Sequence, residues 1–207
     1  MSKDLKTWEK RATPVIEADP QWYETLEQQQ WPDQAWRDPW VFRSQGSDSW
    51  SMLITARHRA GDPTTRGALG LASSSDLQTW KVEAPLSTPD QGFGQLEVFQ
   101  YAEVDGVPLL LFCCGWRELS AQRQSEIGEV DTTYSVVVSP DLKGVDFRKA
   151  QQFLDPPLYA GRLVRKPTGE WYLLGFVGYV NGTFVGELSD PIRVGADQVR
   201  GLFALQD

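Results

Sequence analysis

The chain repeats a phrase, and that repetition constrains its fold more than any other feature. Ser2-Lys3-Asp4-Leu5-Lys6-Thr7-Trp8 returns as Ser74-Ser75-Asp76-Leu77-Gln78-Thr79-Trp80. A looser copy, Ser139-Pro140-Asp141-Leu142, ends in Phe147 instead of tryptophan, and Ser189-Asp190-Pro191-Ile192 reads as the remnant of a fourth. A phrase recurring at intervals of tens of residues is the signature of a repeat architecture. Its first copy stands at the amino end, so the chain is expected to open near the close of one unit.

A second series keeps step with the first. Trp36-Arg37-Asp38-Pro39-Trp40-Val41-Phe42, Gln95-Leu96-Glu97-Val98-Phe99-Gln100 and Tyr159-Ala160-Gly161-Arg162-Leu163-Val164 each open a unit. Each is followed by a turn (Gln45-Gly46-Ser47-Asp48, Asp105-Gly106-Val107-Pro108, Pro167-Thr168-Gly169-Glu170) and then by apolar runs that lead towards a Ser-Asp phrase. Short β-rich runs bounded by turn residues, about four to a unit, predict antiparallel sheets in radial repetition. Helical periodicity is weak throughout. The best candidate, Arg117 to Ser125, is polar enough to read as a loop insertion. The expected fold is therefore all-β, a β-propeller of four-stranded blades: 1–30 the tail of a blade and a connection, then blades over 31–90, 91–155 and 156–207.

Charge excludes some partners. The formal net charge of −8 over 207 residues argues against nucleic acid, which is bound through basic patches, and against an anionic membrane surface. No apolar run is long enough to span a bilayer. With no secretory signal at the amino end, a cytoplasmic location is expected. Cys113 and Cys114 are neighbours in a predicted strand, where successive side chains take opposite faces, and read as reduced core residues. With a single histidine, His58, no metal site and no cofactor are expected, and a Ser-His-Asp triad is disfavoured.

The chemistry is left to carboxylates. First strands of propeller blades line the central channel, so equivalent positions converge, and Asp38, Glu97 and Arg162 (or Tyr159) are read as equivalent. Two acids and a cation about one funnel suit general acid catalysis on an oxygen leaving group. The plainer reading makes Asp38 a turn residue held extended by Pro39 and Glu97 a solvated edge residue. Trp31, Trp36 and Trp40 cluster near Asp38, where indoles could stack on sugar rings or simply pack. Trp8, Trp80 and Trp171 hold repeat positions and read as blade packing. Arg57-His58-Arg59 and Arg66 read as a solvated basic loop. Asn181-Gly182-Thr183 matches a glycosylation sequon, but a hairpin turn is the preferred reading.

These residues also resemble a known family. Trp36-Arg37-Asp38-Pro39-Trp40-Val41-Phe42 is similar to the Arg-Asp-Pro motif of glycoside hydrolase family 32, the invertases, inulinases and levanases. Gln95-Leu96-Glu97-Val98 sits where that family carries a Glu-Cys motif, and the Ser-x-Asp-Leu-x-x-Trp phrase is typical of its blades. The resemblance implies a five-bladed propeller, shared with families 68 and 43, and a carbohydrate partner. It implies Asp38 as the transition-state stabiliser and Glu97 as the general acid/base, with Arg37, Trp36, Trp40, Tyr159 and Arg162 as substrate contacts. Arg37 is expected to point away from Asp38, either to sugar or to a neighbouring blade.

Two departures stand out. Val98 replaces the cysteine after the glutamate. The family's nucleophile, an Asp near the amino end in a motif like Trp-Met-Asn-Asp-Pro-Asn, has no match among Asp4, Glu9, Glu17, Asp19, Glu24 and Glu27. The expectation is a β-fructosidase-like hydrolase whose nucleophile-bearing blade lies outside this chain, with self-association through uncovered blade faces. The alternatives are a non-catalytic carbohydrate-binding fragment and an arabinofuranosidase- or xylosidase-like enzyme of the family 43 type.

Overall fold

The computed structural model describes residues 2–10, 12–28, 30–43, 47–153, 156–180 and 182–205. Asn181 of the predicted hairpin and Gln45-Gly46 of the first predicted turn lie outside the described residues. Among the described residues, thirteen strands form three antiparallel sheets in chain order. The first holds β1 (Arg37–Phe42), β2 (Trp50–Arg57), β3 (Gly67–Ser74) and β4 (Lys81–Glu83). The second holds β5 (Glu97–Val104), β6 (Val107–Cys114), β7 (Thr132–Val137) and β8 (Gln151–Gln152). The third is built from β9 (Tyr159–Arg165), β10 (Trp171–Val180), β11 (Thr183–Leu188), β12 (Ile192–Asp197) and β13 (Gly201–Ala204). They are consecutive blades of a β-propeller.

The third sheet keeps the four-stranded plan with one interruption. β11 and β12 pair in turn with the far and near halves of one edge of β10, while β9 takes its other edge. Ser189-Asp190-Pro191 therefore lies inside a broken third strand, where Ser189 and Gly175 exchange hydrogen bonds. It is not a copy of the repeated phrase. That place in the blade, between third and fourth strands, belongs to Asp197–Arg200, whose Asp197 Oδ1 accepts from the amides of Val199 and Arg200 at 2.9 and 2.7 Å.

The phrase itself is a self-contained turn. The hydroxyl of Ser74 accepts from the Leu77 amide at 2.9 Å, Asp76 Oδ1 accepts from the amides of Gln78 and Thr79 at 2.8 and 2.7 Å, and Trp80 Nε1 donates to the Leu77 carbonyl at 3.3 Å. Ser2, Asp4 and Trp8 make the same bonds. The central leucine is left-handed in each copy, with φ of 59° at Leu5, 62° at Leu77 and 56° at Leu142. Side-chain bonds to nearby amides offset the cost of that conformation. Trp80 packs beside Met52, Ile54 and Ala72, whereas Trp8 is exposed.

Apolar seams join the blades. Leu53 and Leu69 of the first meet Phe99, Leu110, Phe112 and Tyr134 of the second in one buried cluster. Leu109 and Leu111 of the second meet Leu163, Leu173, Val194 and Leu202 of the third in another. Each such side chain contributes roughly 1.5–3 kcal/mol when fully buried. Cys113 and Cys114 are buried, free thiols within the second blade.

Two stretches differ from the sequence reading. Around Arg117 to Ser125, a 3-10 turn (Trp116–Glu118) leads into a helix, α1 (Ala121–Ile127), capped by the Ser120 hydroxyl. Its Arg123 is buried, with the guanidinium 4.1 Å above the Phe93 ring and donating to the Phe147 carbonyl at 2.9 Å. The helix is thus anchored by a long-range contact that periodicity does not reveal.

The basic group Arg57, His58 and Arg66 is likewise buried rather than a solvated loop; only Arg59 is exposed. Arg57 ends β2, donates to Glu24 at 2.7 Å, to the carbonyls of Gly94 and Pro63, and lies 3.8 Å from the Trp31 ring. Among the described residues, no helix is long and apolar enough to cross a membrane.

Candidate active site

Each blade opens with the same irregularity. Arg37 pairs with Thr55 and Trp40 with Leu53; Glu97 pairs with Cys113 and Gln100 with Leu111; Tyr159 pairs with Phe176 and Arg162 with Leu174. In each case the first strand carries one extra residue, a bulge that re-aims its side chains. Asp38, Val98 and Ala160 occupy that bulge with φ of 55°, 55° and 51°. A β-branched residue such as Val98 rarely adopts this conformation. Here its amide donates to Thr55 Oγ1 of the preceding blade at 3.1 Å, a tie that holds it in place.

The bulges move the expected position in the first blade by one residue, from Asp38 to Arg37. In the third blade the position equivalent to Glu97 is Tyr159, of the two alternatives Arg162 and Tyr159. These three converge: Arg37 donates to one oxygen of the Glu97 carboxylate and the Tyr159 hydroxyl to the other. The Glu97 side chain is 13% exposed, so this is a largely desolvated cluster contributed by three blades. Gln95 braces it by accepting from Arg37 at 2.5 Å.

Arg37 does not point away from Asp38. The left-handed turn at Asp38 breaks strand alternation and leaves its Oδ2 3.7 Å from Arg37 Nε, where it also accepts from Thr55 Oγ1 at 3.1 Å. Arg37 is therefore a blade-to-blade tie that adjoins both carboxylates.

Electrostatics follow the geometry. Burial pulls the Arg37 pKa down, but Glu97, Asp33 and Asp38 outweigh it and leave it raised. Burial, then the neighbouring Cys113 and Glu97, holds the Tyr159 phenol far above its ordinary value, so it stays a proton donor to the carboxylate. Burial pushes the Cys113 thiol up to about 12.

The remaining predicted residues sit apart from the carboxylate. Arg162 donates to the Val98 and Phe99 carbonyls at 2.7 and 3.1 Å and lies 5.4 Å from the Trp40 ring, stitching the third blade to the second. Trp40 packs against the first seam. Trp36 packs at a tilt against Tyr23, ring centroids 4.9 Å apart, in a small cluster with Ala56 and Ala68. Its other neighbours form a 540 Å³ apolar groove with Val15, Ile16, Met52 and Trp80.

Glu97 and Tyr159 open onto a cleft of 710 Å³ whose walls include Trp116, Glu118 and Tyr179. Asp38 adjoins the same guanidinium without forming part of the cleft wall. Glu118 was not singled out from the sequence. Burial first, and the Glu97 charge second, raise its carboxyl above the usual range. The available signal was the polar insertion between the second and third strands of the blade, since function concentrates in such connections. Among the described residues, no group of His, Cys, Asp and Glu is placed to hold a metal ion.

Residues 1–184 match the family described as the glycosyl hydrolases family 32 N-terminal domain. The chain belongs to that family. Among solved structures, the family 32 chain resembles an inulosucrase from Halalkalicoccus jeotgali bound to kestose, with 20% identity and a TM-score of 0.70 over 91% of this chain and 54% of that one.

It also resembles a levansucrase from Gluconacetobacter diazotrophicus, at 17% identity and a TM-score of 0.65, covering 90% and 48% of the two chains. A Bombyx mori family 32 β-fructofuranosidase matches at 16% identity and a TM-score of 0.61, covering 83% and 37%. The chain thus spans about half or less of these proteins, and at such identities the likeness shows the propeller fold. No curated protein matches the chain in sequence.

Proposed function

We propose that this chain forms the acid side of a site cleaving β-fructosides or related oligosaccharides by a retaining, two-carboxylate mechanism. Glu97 is the general acid/base: it passes its proton to the glycosidic oxygen as the C–O bond breaks, then recovers one from water. Asp38 accepts from sugar hydroxyls beside Arg37, as the transition-state stabiliser. The reading rests above all on one observation, the place of Glu97, largely buried yet opening onto a cleft beside Tyr159. Such a mechanism needs a nucleophile roughly 5–5.5 Å from the acid. The proposal places it outside this chain, since no early acid carries the family's motif.

The test is a titration of the chain with sucrose and kestose, followed by amide NMR, with sugar release assayed in the same samples. Shifts at Glu97, Trp116, Glu118 and Tyr159 without measurable hydrolysis are expected. Shifts confined to the Trp36 groove would contradict the site. Turnover by a monomeric chain, lost in Glu97→Gln, would show that the nucleophile is present after all.

A further inference from the structure

Beyond Glu97, the cleft has a charge of its own. Trp116 and Tyr179 offer aromatic faces on its walls, and Glu118, Glu129 and Asp131 add three carboxylates. Asp131 Oδ1 accepts from the Trp116 amide at 2.8 Å, so one of these acids also fixes an aromatic wall. Arg117 is the only cation among the cleft's described walls, and its guanidinium lies 4.4 Å from the Trp116 ring. Arg37, the other cation nearby, is committed to Glu97 and Asp38.

We infer that this cleft selects an uncharged glycosyl leaving group over a phosphorylated one. The inference rests on the proposed role of Glu97. A proton donor to the glycosidic oxygen faces the leaving group, so the space beyond its oxygens receives that group. A neutral sugar gains from the indole and phenol faces and can donate hydroxyl protons to the carboxylates. A phosphate near two negative charges brings its own repulsion against three carboxylates, with one cation in opposition. Because Glu129 and Asp131 are exposed, salt screens much of this repulsion, and the discrimination is strongest at low ionic strength.

The experiment compares sucrose with sucrose 6-phosphate as ligands of the intact chain, read by amide NMR at the Trp116, Glu118 and Tyr159 signals. At low salt, the phosphate ester binds at least about tenfold more weakly, and the gap narrows as sodium chloride is added. Glu129→Lys, at an exposed position, brings the ester's affinity towards that of sucrose. Equal affinity for the two sugars at low salt, or a gap that salt does not change, overturns the charge selection while leaving the glycoside site standing. No response to either sugar overturns both.

Discussion

The two ends of the first blade satisfy their polar groups in opposite ways. At the end where Ser74 pairs with Trp50, the Ser-Asp phrase answers its own amides within two or three residues, in water. At the end where Arg57 pairs with Gly67, partners come from far away: Glu24 lies 33 positions from Arg57, and Glu97 lies 60 from Arg37 and 62 from Tyr159. The first end is a local turn that any blade can carry. The second is a buried network that exists only when several segments assemble, and it is there that the candidate cleft lies. A chain that repeats one end of its blades and not the other separates folding from chemistry along a single strand.

This contrast can be broken most forcefully at Glu24. It is 5% exposed beside Arg57 and Arg66, and Glu24→Ala would leave two buried cations uncompensated. A loss of roughly 3–5 kcal/mol is expected from urea unfolding. Asp76→Ala, at the other end, removes only a local cap on two amides and should shift the midpoint clearly less than Glu24→Ala. Similar effects at both ends would dissolve the distinction.

A subtler probe is His58, 7% exposed, with its ring 3.3 Å from the Ser87 hydroxyl. Burial depresses its pKa from 6.5 to about 4. Between these values the unfolded chain binds a proton that the folded chain refuses, so stability present above pH 6.5 falls as pH drops towards 4. The loss reaches up to ~3 kcal/mol, and His58→Gln should flatten that part of the pH–stability curve. An unchanged slope in the variant would show that the cleft end is wetter than its packing implies.

The same contrast explains what the sequence made legible. The blades, their order and the carboxylate Glu97 were readable because turn phrases and apolar runs are written in neighbouring residues. The register was misread by one position because a bulge adds a residue without a local marker. Asp38, Val98 and Ala160 share no side-chain chemistry, only a positive φ. That slip sets Asp38 rather than Arg37 beside Glu97, and it leaves Arg162 and Tyr159 as alternatives where the structure brings Tyr159 to the carboxylate. Arg57 and Arg66 read as solvated loop residues because their compensating acid, Glu24, sits in a stretch with no strand pattern. Glu118 was passed over because a polar insertion shows no periodicity that would aim it at the cleft.

The central claim is that the bulged first strands bring Arg37 and Glu97 into direct contact across two blades. A double-mutant cycle on Arg37→Met and Glu97→Gln, read by chemical denaturation, tests it most directly. The structure predicts a coupling of at least about 1 kcal/mol, with near-additivity for Arg162→Met and Glu97→Gln, the pair the unbulged register would have joined. Additivity within about 0.5 kcal/mol for Arg37 and Glu97, or stronger coupling through Arg162, would contradict it.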